Sequence, residues 1–345
     1  MRVALVALKT VRHTDAESVR RVERLARSLA ARGHDVTLFC GQWWDDYRDE
    51  FFDDDLRYRS VTYGTALASF CTRLPALLAR YRPDVIHAAA VPPQQVVSTL
   101  AAGQFAQAPV VVEWYGTENL GDHRLASTIA GRPDRVVTPS EFVRTDVREL
   151  GATEANTTVV PESIDFSMTG AANPAADVDI VYARRLDEAA NLDNFLLGLA
   201  ELRGRDWQAA VVGDGPLREE YEAEAGRLRI DDRVEFVGDA TRERRVSLYQ
   251  GAHAFVQTAT REQFATELLW ALACGCVGIV EYQAQSSAHE LIEHHERAYR
   301  VTSPEEIADA IADAGEYPHL TTDDEWARFD HDAVAEQYLE IYDRL

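Results

Sequence analysis

The feature that most constrains the fold of this chain is a repeated alternation of short apolar runs with amphipathic helices. The run RVALVAL, residues 2–8, is too short for a helix and predicts a buried strand. The next segment, residues 17–40, predicts an amphipathic helix that stops at Gly33 and then a second strand. Because strands that alternate with helices form parallel sheets covered on both faces, the pattern predicts an α/β fold.

The alternation recurs in both halves of the chain, for example at DVIHA and APVVVEWYG in the first half and at DIVYARRL and AFVQTA in the second. Between the halves, FSMTGAANPAADV is rich in small residues and predicts a linker over residues 166–178. We therefore expect two Rossmann-like domains, residues 1–165 and 179–325, that face a central cleft. The last segment, residues 326–345, predicts a helix that returns toward the first domain. Ligands of such sheets bind at the carboxyl ends of the strands.

The charge of the chain limits its partners. It carries 58 acidic and 35 basic residues, a net charge of −23, and Lys9 is the sole lysine among the basic residues. Such a surface repels nucleic acid in dilute buffer, so no nucleic-acid partner is expected. The acidic surface and the use of arginine are typical of salt-adapted proteins of the haloarchaeal type. No apolar run is long enough to span a bilayer, and we expect a cytoplasmic protein.

Two nucleotide-binding classes lack their sequence signatures. VVGDGP supplies Gly213 and Gly215 after a predicted strand, but Arg218 stands at the third glycine position of a dinucleotide-binding loop. No phosphate-binding loop of the GxxxxGK type occurs. Cys274 and Cys276 are too close together for a metal finger and have no partner pair, so no metal site is predicted.

Three spaced segments of the second half occur in a specific order: VVGDGP, RVEFVGD and REQFATELLWALACGC. In this order, and over nearly its whole length, the chain resembles glycosyltransferase family 4. The resemblance implies the GT-B fold and the retaining transfer of a sugar from a nucleotide-sugar donor to a glycan or lipid-linked acceptor. It also implies that no cofactor and no metal ion is needed.

The resemblance also implies roles for individual residues. Arg185 takes the place of the arginine that binds the donor diphosphate, for which a planar guanidinium is well suited. Glu262 takes the place of the first carboxylate of the two-glutamate signature, which accepts hydrogen bonds from donor-sugar hydroxyls. The remaining donor-side residues lie at a helix start, where free amides stabilise phosphate, or at a strand-end turn: Phe264, Ala265, Thr266, Gly213 and Gly215.

Several positions depart from the family pattern. Trp270 stands where the second signature glutamate normally holds the ribose, and Ala190 stands in place of a lysine. Tyr115 replaces the histidine expected before Gly116. Ser286 and Ser287 replace paired glycines, and the sequence from Lys9 to His13 replaces a glycine-rich loop.

The sequence offers possible replacements for the lost groups. Arg184 or Arg12 is a candidate for the missing positive charge. Glu267 lies one helical turn before Trp270 and is a candidate ribose ligand, with Trp270 either stacking on the nucleotide or packing in the core. His87, Arg12 and Tyr115 are the candidates for acceptor or cleft contacts. The segment RLPALLARYR predicts a helix that either faces the core or contacts a membrane peripherally.

Three functions fit these observations. The first is a retaining glycosyltransferase. The second is a relative without catalysis that binds a glycan or a partner glycosyltransferase, which the losses at Ala190, Trp270 and Tyr115 keep open. The third, a sugar-nucleotide epimerase of the same fold, is not favoured by the resemblance. Binding of a nucleotide sugar separates the first from the second.

Overall fold

The computed structural model shows two compact units, the first formed by Met1–Glu162 with Asp332–Leu345 and the second by Ser163–His331. Both contain the parallel sheets that the alternating pattern predicts. The structure describes residues 1–118, 120, 123–171 and 173–345.

The first unit is built on an eight-stranded sheet of order β3-β4-β2-β1-β5-β6-β7-β8. All neighbouring strands are parallel except β3, which pairs antiparallel with β4 at the edge of the sheet. The strands are β1 Arg2–Val6, β2 Asp35–Gln42, β3 Glu50–Asp53, β4 Leu56–Tyr63, β5 Val85–Ala89, β6 Val110–Glu113, β7 Arg135–Thr138 and β8 Thr157–Val159.

Five helices of the first unit follow these strands. In the first of them, Val22, Leu25, Ala26 and Leu29 are buried at helical spacing, which explains how the helix packs on the sheet. Gly33, at φ +83°, follows its end, as expected from the stop signal. The helices are α1 Glu17–Ala31, α2 Leu67–Tyr81, α3 Pro93–Ala106, α4 Ala126–Gly131 and α5 Glu141–Glu149.

The second unit contains a six-stranded parallel sheet of order β11-β10-β9-β12-β14-β16 and a small pair, β13 with β15. Alternate residues of β9 enter different core clusters, which shows that both faces of the sheet are covered. The strands are β9 Ile180–Ala183, β10 Ala209–Val212, β11 Val234–Gly238, β12 Ala254–Gln257, β13 Arg261–Glu262, β14 Val277–Glu281, β15 Gln285–Ser286 and β16 Ala298–Val301. The helices are α6 Leu192–Glu201, α7 Arg218–Leu228, α8 Arg242–Gly251, α9 Thr266–Ala273, α10 Ala288–Ile292 and α11 Pro304–Ala314.

The last helix, α12 (His331–Asp343), packs on the core of the first unit. Its buried residues Val334, Tyr338 and Ile341 share a cluster with Val22 and Leu25 of α1. The last helix therefore covers part of the core of the first unit.

The segment 166–178, which the sequence predicts as a linker, lies inside the second unit. A 3-10 helix occupies Phe166–Gly170, and Thr169 is buried. The Ala175 amide donates to the Ser247 carbonyl at 2.8 Å, and Gly251 leaves room for the Ala175 backbone. The small residues thus serve close packing rather than a free connection; Ala172 lies outside the described residues.

The helix predicted at RLPALLARYR is α2, and its apolar face is in the core. Phe70, Leu74 and Leu78 are fully buried. This favours the core interpretation over membrane contact by that face. Among the described helices, none is long and apolar enough to cross a membrane.

Candidate functional site

The predicted donor-side residues of the second unit lie where β9, β10 and β12 end. Arg184 and Arg185 directly follow β9, and Glu262 lies in β13 shortly after β12. Because β9 is hydrogen-bonded to both β10 and β12, the three carboxyl ends are adjacent. The structure therefore groups these side chains at the edge where parallel α/β sheets bind ligands.

Arg184 and Glu262 form an ion pair in which both side chains are about four-fifths buried. The Arg184 Nη1 group contacts Glu262 Oε2, and Nη2 donates to the Arg261 carbonyl at 3.0 Å. Gln257 also donates to Glu262 Oε2, at 3.4 Å. Burial raises the pKa of Glu262 to about 7, although Arg184 and Gln257 act in the opposite direction. The other oxygen, Oε1, has no hydrogen-bond partner in the described part of the chain.

The backbone that carries Glu262 is fixed by the serines that replace the family's paired glycines. Glu262 pairs with Ser286 between β13 and β15. The Ser287 amide donates to the Glu262 carbonyl at 2.9 Å, and the Ser287 hydroxyl donates to the Gln263 carbonyl at 2.8 Å. These contacts hold the carboxylate in place without a ligand.

Arg185 points outward from the same turn. Its side chain is 71% exposed, and its nearest carboxylate oxygen is Asp187 Oδ2, 3.8 Å from Arg185 Nε. Such a contact is weak in water. The Arg185 guanidinium is therefore available to an anionic ligand, whereas Arg184 is already paired.

Gly213 and Gly215 leave space for the neighbouring backbone. A Cβ on Gly213 would lie 2.0 Å from the Arg184 carbonyl oxygen, and one on Gly215 would lie 2.2 Å from the Leu186 carbonyl oxygen. Gly213 also has φ +126°, which disfavours other residues. The two glycines thus allow the turn of Arg184 and Arg185 to lie against the end of β10.

Free amides lie at the start of α9. Phe264 and Ala265 are buried side chains that anchor this start in the core, and Thr266 is the first helical residue. Within the described residues, the amides of Ala265, Glu267 and Leu268 have no hydrogen-bond acceptor. Unpaired N–H groups and the helix dipole favour an anion at this position.

Glu267 is bound by three side chains of α8, which contradicts its predicted contact with a ribose. Arg242 donates to both carboxylate oxygens, at 2.8 and 3.0 Å. Arg245 donates at 2.9 Å and the Tyr249 hydroxyl at 2.5 Å. Burial acts to raise the pKa of Glu267, but the two guanidinium groups and the hydroxyl outweigh it and hold the pKa below its usual range. The carboxylate is therefore a structural ion-pair partner.

Both units match domains of known glycosyltransferases. The chain matches the Glycosyl transferase 4-like domain over residues 18–162 and the Glycosyl transferases group 1 domain over residues 166–325. Its fold is similar to that of Anabaena HepE, solved in complex with UDP, with a TM-score of 0.77 and 18% identity over 100% of both chains. The chain belongs to the GT-B glycosyltransferases.

Two relatives of this GT-B glycosyltransferase come from Mycobacterium tuberculosis. A GDP-mannose-dependent alpha-(1-6)-phosphatidylinositol dimannoside mannosyltransferase (strain H37Ra) is 29% identical over 194 residues, 53% of this chain and 49% of that protein. A glycogen synthase (strain CDC 1551) is 24% identical over 303 residues, 74% of this chain and 72% of that protein. The first match spans about half the length of the mannosyltransferase.

Trp270 of this GT-B glycosyltransferase is a core residue, which contradicts its assignment to the donor site. Its side chain is 5% exposed and belongs to the core cluster on one face of the sheet. The Arg242 guanidinium lies 4.9 Å from its ring centroid. The ring face that would stack on a nucleotide is thus occupied by an arginine that also binds Glu267.

Ala190, which replaces the family's lysine, is also buried. Its carbonyl oxygen accepts hydrogen bonds from the Tyr182 hydroxyl at 2.7 Å and the Thr258 hydroxyl at 3.0 Å. The next residue, Asn191, has a positive φ and donates to Glu281 Oε2 at 3.0 Å. This turn is fixed by hydrogen bonds without a lysine, and the predicted substitute Arg184 is bound to Glu262.

The residues predicted to contact the acceptor lie in the first unit, and two of them are buried. His87 is fully buried, with Nδ1 2.6 Å from the Tyr342 hydroxyl and Nε2 3.1 Å from Glu113 Oε2, so its predicted acceptor contact is wrong. The Tyr115 side chain is 4% exposed, which also contradicts an acceptor contact. Arg12 is half-exposed, 3.3 Å from Asp53 and 5.1 Å from the Trp43 ring centroid.

A buried charge network in the first unit has no counterpart in the sequence analysis. Arg21 donates from Nε to Glu113 at 2.7 Å, from Nη1 to Glu162 at 3.1 Å and from Nη2 to the Tyr338 hydroxyl at 2.7 Å. Tyr338 in turn donates to Glu113 at 2.8 Å. The residues of this network lie far apart in sequence, so their spacing along the chain did not predict it. The network joins α1, β6 and α12.

Three metal-ligand side chains meet in the second unit, with ligand atoms of His295, Asp323 and Glu325 within 4.8 Å of one another. His295 Nδ1 lies 3.2 Å from Glu325 Oε2, and Asp323 Oδ1 accepts from the Glu325 amide at 3.1 Å. These contacts explain the cluster without an ion, and we assign no metal to it. That the enzyme needs no metal or cofactor stays a prediction.

Proposed function

We propose that this protein is a retaining glycosyltransferase that moves a sugar from a nucleotide-sugar donor to a glycan or a lipid-linked acceptor. The observation that carries the proposal is the group at the carboxyl ends of β9 and β12. There, an exposed guanidinium, a carboxylate with one free oxygen and a helix start with unpaired amides lie on adjacent elements. The guanidinium and the helix start match the phosphates of a sugar diphosphate, and the carboxylate matches the sugar hydroxyls.

The chemical roles follow from charge. When the sugar–oxygen bond breaks, negative charge develops on the departing diphosphate, and Arg185 with the α9 amides stabilises it. Glu262 Oε1 accepts a hydrogen bond from a donor-sugar hydroxyl and fixes the orientation of the sugar. Arg184 keeps Glu262 in position. Positioning and leaving-group stabilisation then carry the reaction without a protein nucleophile, and the acceptor enters on the face from which the diphosphate departs.

The donor class rests on the site and on the relatives. The mycobacterial relative is named for its dependence on GDP-mannose, and Anabaena HepE was solved with UDP. Both ligands share a nucleoside diphosphate, which is the part that Arg185 and the α9 amides would bind. Because Glu267 and Trp270 are engaged elsewhere, the ribose lacks the family's carboxylate. We expect that this change weakens donor binding without removing the transfer chemistry.

The proposal is tested by incubating the full chain in molar KCl with UDP- and GDP-sugars and a mixture of glycan and lipid-linked acceptors, and measuring release of the nucleoside diphosphate. We expect release with at least one donor, and an anomeric configuration in the product that equals that of the donor, as read by NMR. Glu262→Ala should lower the release, whereas Glu222→Ala, a change at an exposed site on α7, should not. Tight donor binding without any release would refute the transferase and favour the relative without catalysis.

A further inference from the structure

A separate pocket of about 220 Å³ lies in the first unit, between α2 and the strands β2 and β4. Its floor consists of residues paired across two parallel strands, Thr37 beside Arg57 and Phe39 beside Arg59. The last turn of α2 adds Leu77, Arg80 and Tyr81 to the wall. The floor residues belong to the first five residues of their strands. The pocket is therefore away from the carboxyl ends of the sheet and independent of the site proposed above.

The lining of this pocket is positively charged although the chain as a whole is strongly acidic. Three guanidinium groups and one carboxylate, Glu50, line it. Arg59 donates to Glu50 at 2.6 Å, and Arg57 donates to Asp35 at 2.8 Å. Arg80 is exposed and has no acidic partner in the part of the chain that the structure describes. Its charge is therefore available to an anion.

Two buried polar atoms of the floor are unsatisfied. Arg57 Nε and Thr37 Oγ1 have no hydrogen-bond partner among the described residues, and Thr37 is 2% exposed. The Tyr81 hydroxyl lies near Thr37, but it donates to the Asp35 carbonyl oxygen at 3.2 Å. Buried donors normally find an acceptor, so two unsatisfied donors at one pocket point to an acceptor-rich ligand.

We propose that this pocket binds a small phosphate-bearing anion, either inorganic phosphate or a phosphate monoester. Phosphate oxygens accept hydrogen bonds from guanidinium groups, and those of Arg57 and Arg80 line the pocket together with the Thr37 hydroxyl. Phe39 and Leu77 form an apolar wall for the carbon part of an ester. An ordered water needs about 10–15 Å³ of such space, so the pocket accommodates a far larger ligand.

The test is calorimetric titration of the full chain with inorganic phosphate at constant ionic strength, with KCl as the balancing salt. We expect Arg80→Ala and Thr37→Val to weaken phosphate binding by about tenfold or more, since each removes a hydrogen bond to a charged group. Thr37→Ser keeps the hydroxyl and should restore the affinity. Arg73→Ala, which changes an exposed arginine of α2 outside the lining, is the matched control and should bind as the wild type does.

A second variant separates this pocket from the donor site. Phosphate binding at the pocket of α2 should persist in Arg185→Ala, which removes only phosphate that binds at the donor site. If Arg185→Ala no longer bound phosphate while Arg80→Ala still did, the proposal would be overturned, because phosphate would then occupy the donor site. Absence of binding by the wild type, or equal binding by all variants, would also overturn it. Tighter binding of glycerol 3-phosphate than of inorganic phosphate would identify an ester as the ligand, and the reverse order would identify the free anion.

Discussion

The replacement Glu267→Gln tests whether the carboxylate at the start of α9 stabilises the fold or binds the donor. In the structure, its two oxygens accept four hydrogen bonds, from Arg242, Arg245 and Tyr249. A glutamine keeps the shape but removes the charge and turns an NH₂ group toward a guanidinium. Two arginines then lose their anionic partner in a largely buried site.

The expected loss of folding stability in Glu267→Gln follows from the burial of the ion pair. Breaking a fully buried ion pair costs about 3–5 kcal/mol. The Glu267 side chain is 21% exposed and Arg242 33%, so solvent screens part of the interaction and about 2–3 kcal/mol remains. For a domain of about 150–250 residues, 1 kcal/mol shifts the melting temperature by roughly 2–4 °C. We therefore expect a decrease of about 5–10 °C.

The assay combines thermal melting with calorimetric titration of a nucleoside diphosphate. Glu222→Gln is the matched control, because Glu222 is exposed and its contact with Arg218, at 2.8 Å from Arg218 Nε, is on the surface of α7. Glu267→Gln should melt lower than this control and bind the nucleotide within about threefold of the wild type. A variant that melts like the wild type but loses about tenfold or more in affinity would refute the structural role.

Three further predictions follow from buried charge and surface charge. Arg21→Ala should lower the free energy of unfolding by about 3–5 kcal/mol in urea titration, because Glu113 and Glu162 stay buried without their partner. Arg20→Ala at the neighbouring exposed position should have little effect, and equal effects of the two variants would contradict a stabilising role of the buried network. Nucleotide-sugar affinity should rise between about pH 6 and pH 8, because the pKa of Glu262 is raised to about 7 and the carboxylate accepts hydrogen bonds better than the protonated acid does. The affinity of Glu262→Gln should not change with pH over this range, and a slope equal to that of the wild type would exclude Glu262 as the titrating group. The melting temperature should rise from about 0.1 M to 2 M KCl as salt screens the net charge of −23, and a flat or falling value would contradict salt adaptation.

Periodicity was sufficient to predict most of the fold. Short apolar runs bounded by polar residues marked the parallel strands, and the amphipathic pattern marked α1 and α12. The β3–β4 hairpin was missed because its acidic, aromatic sequence lacks a continuous apolar run. The segment 166–178 was misassigned because small residues serve close packing as well as flexible connections, and sequence alone does not distinguish the two.

The candidate site was less predictable, because side-chain partners distant in sequence decide which groups are free. Arg184 and Arg185 are neighbours, yet one is paired with Glu262 and the other is exposed. Glu267 was a reasonable ribose ligand by helical spacing, but the arginines of α8 bind it. His87 follows a strand pattern that suggests an open strand end, but Tyr342 of α12 covers it.

The proposed donor site depends most on Arg185, whose guanidinium we expect to bind the diphosphate of a nucleotide donor. Calorimetric titration of UDP and GDP into the wild type and into Arg185→Ala, in molar KCl, tests it most directly. We predict a loss of about 2–3 kcal/mol of affinity, roughly 30- to 150-fold, because a charged hydrogen-bonding pair is removed. Arg227→Ala, which changes an arginine of α7 with similar exposure, should bind as the wild type does. Unchanged nucleotide affinity in Arg185→Ala would mean that Arg185 does not bind the diphosphate and that the donor binds elsewhere.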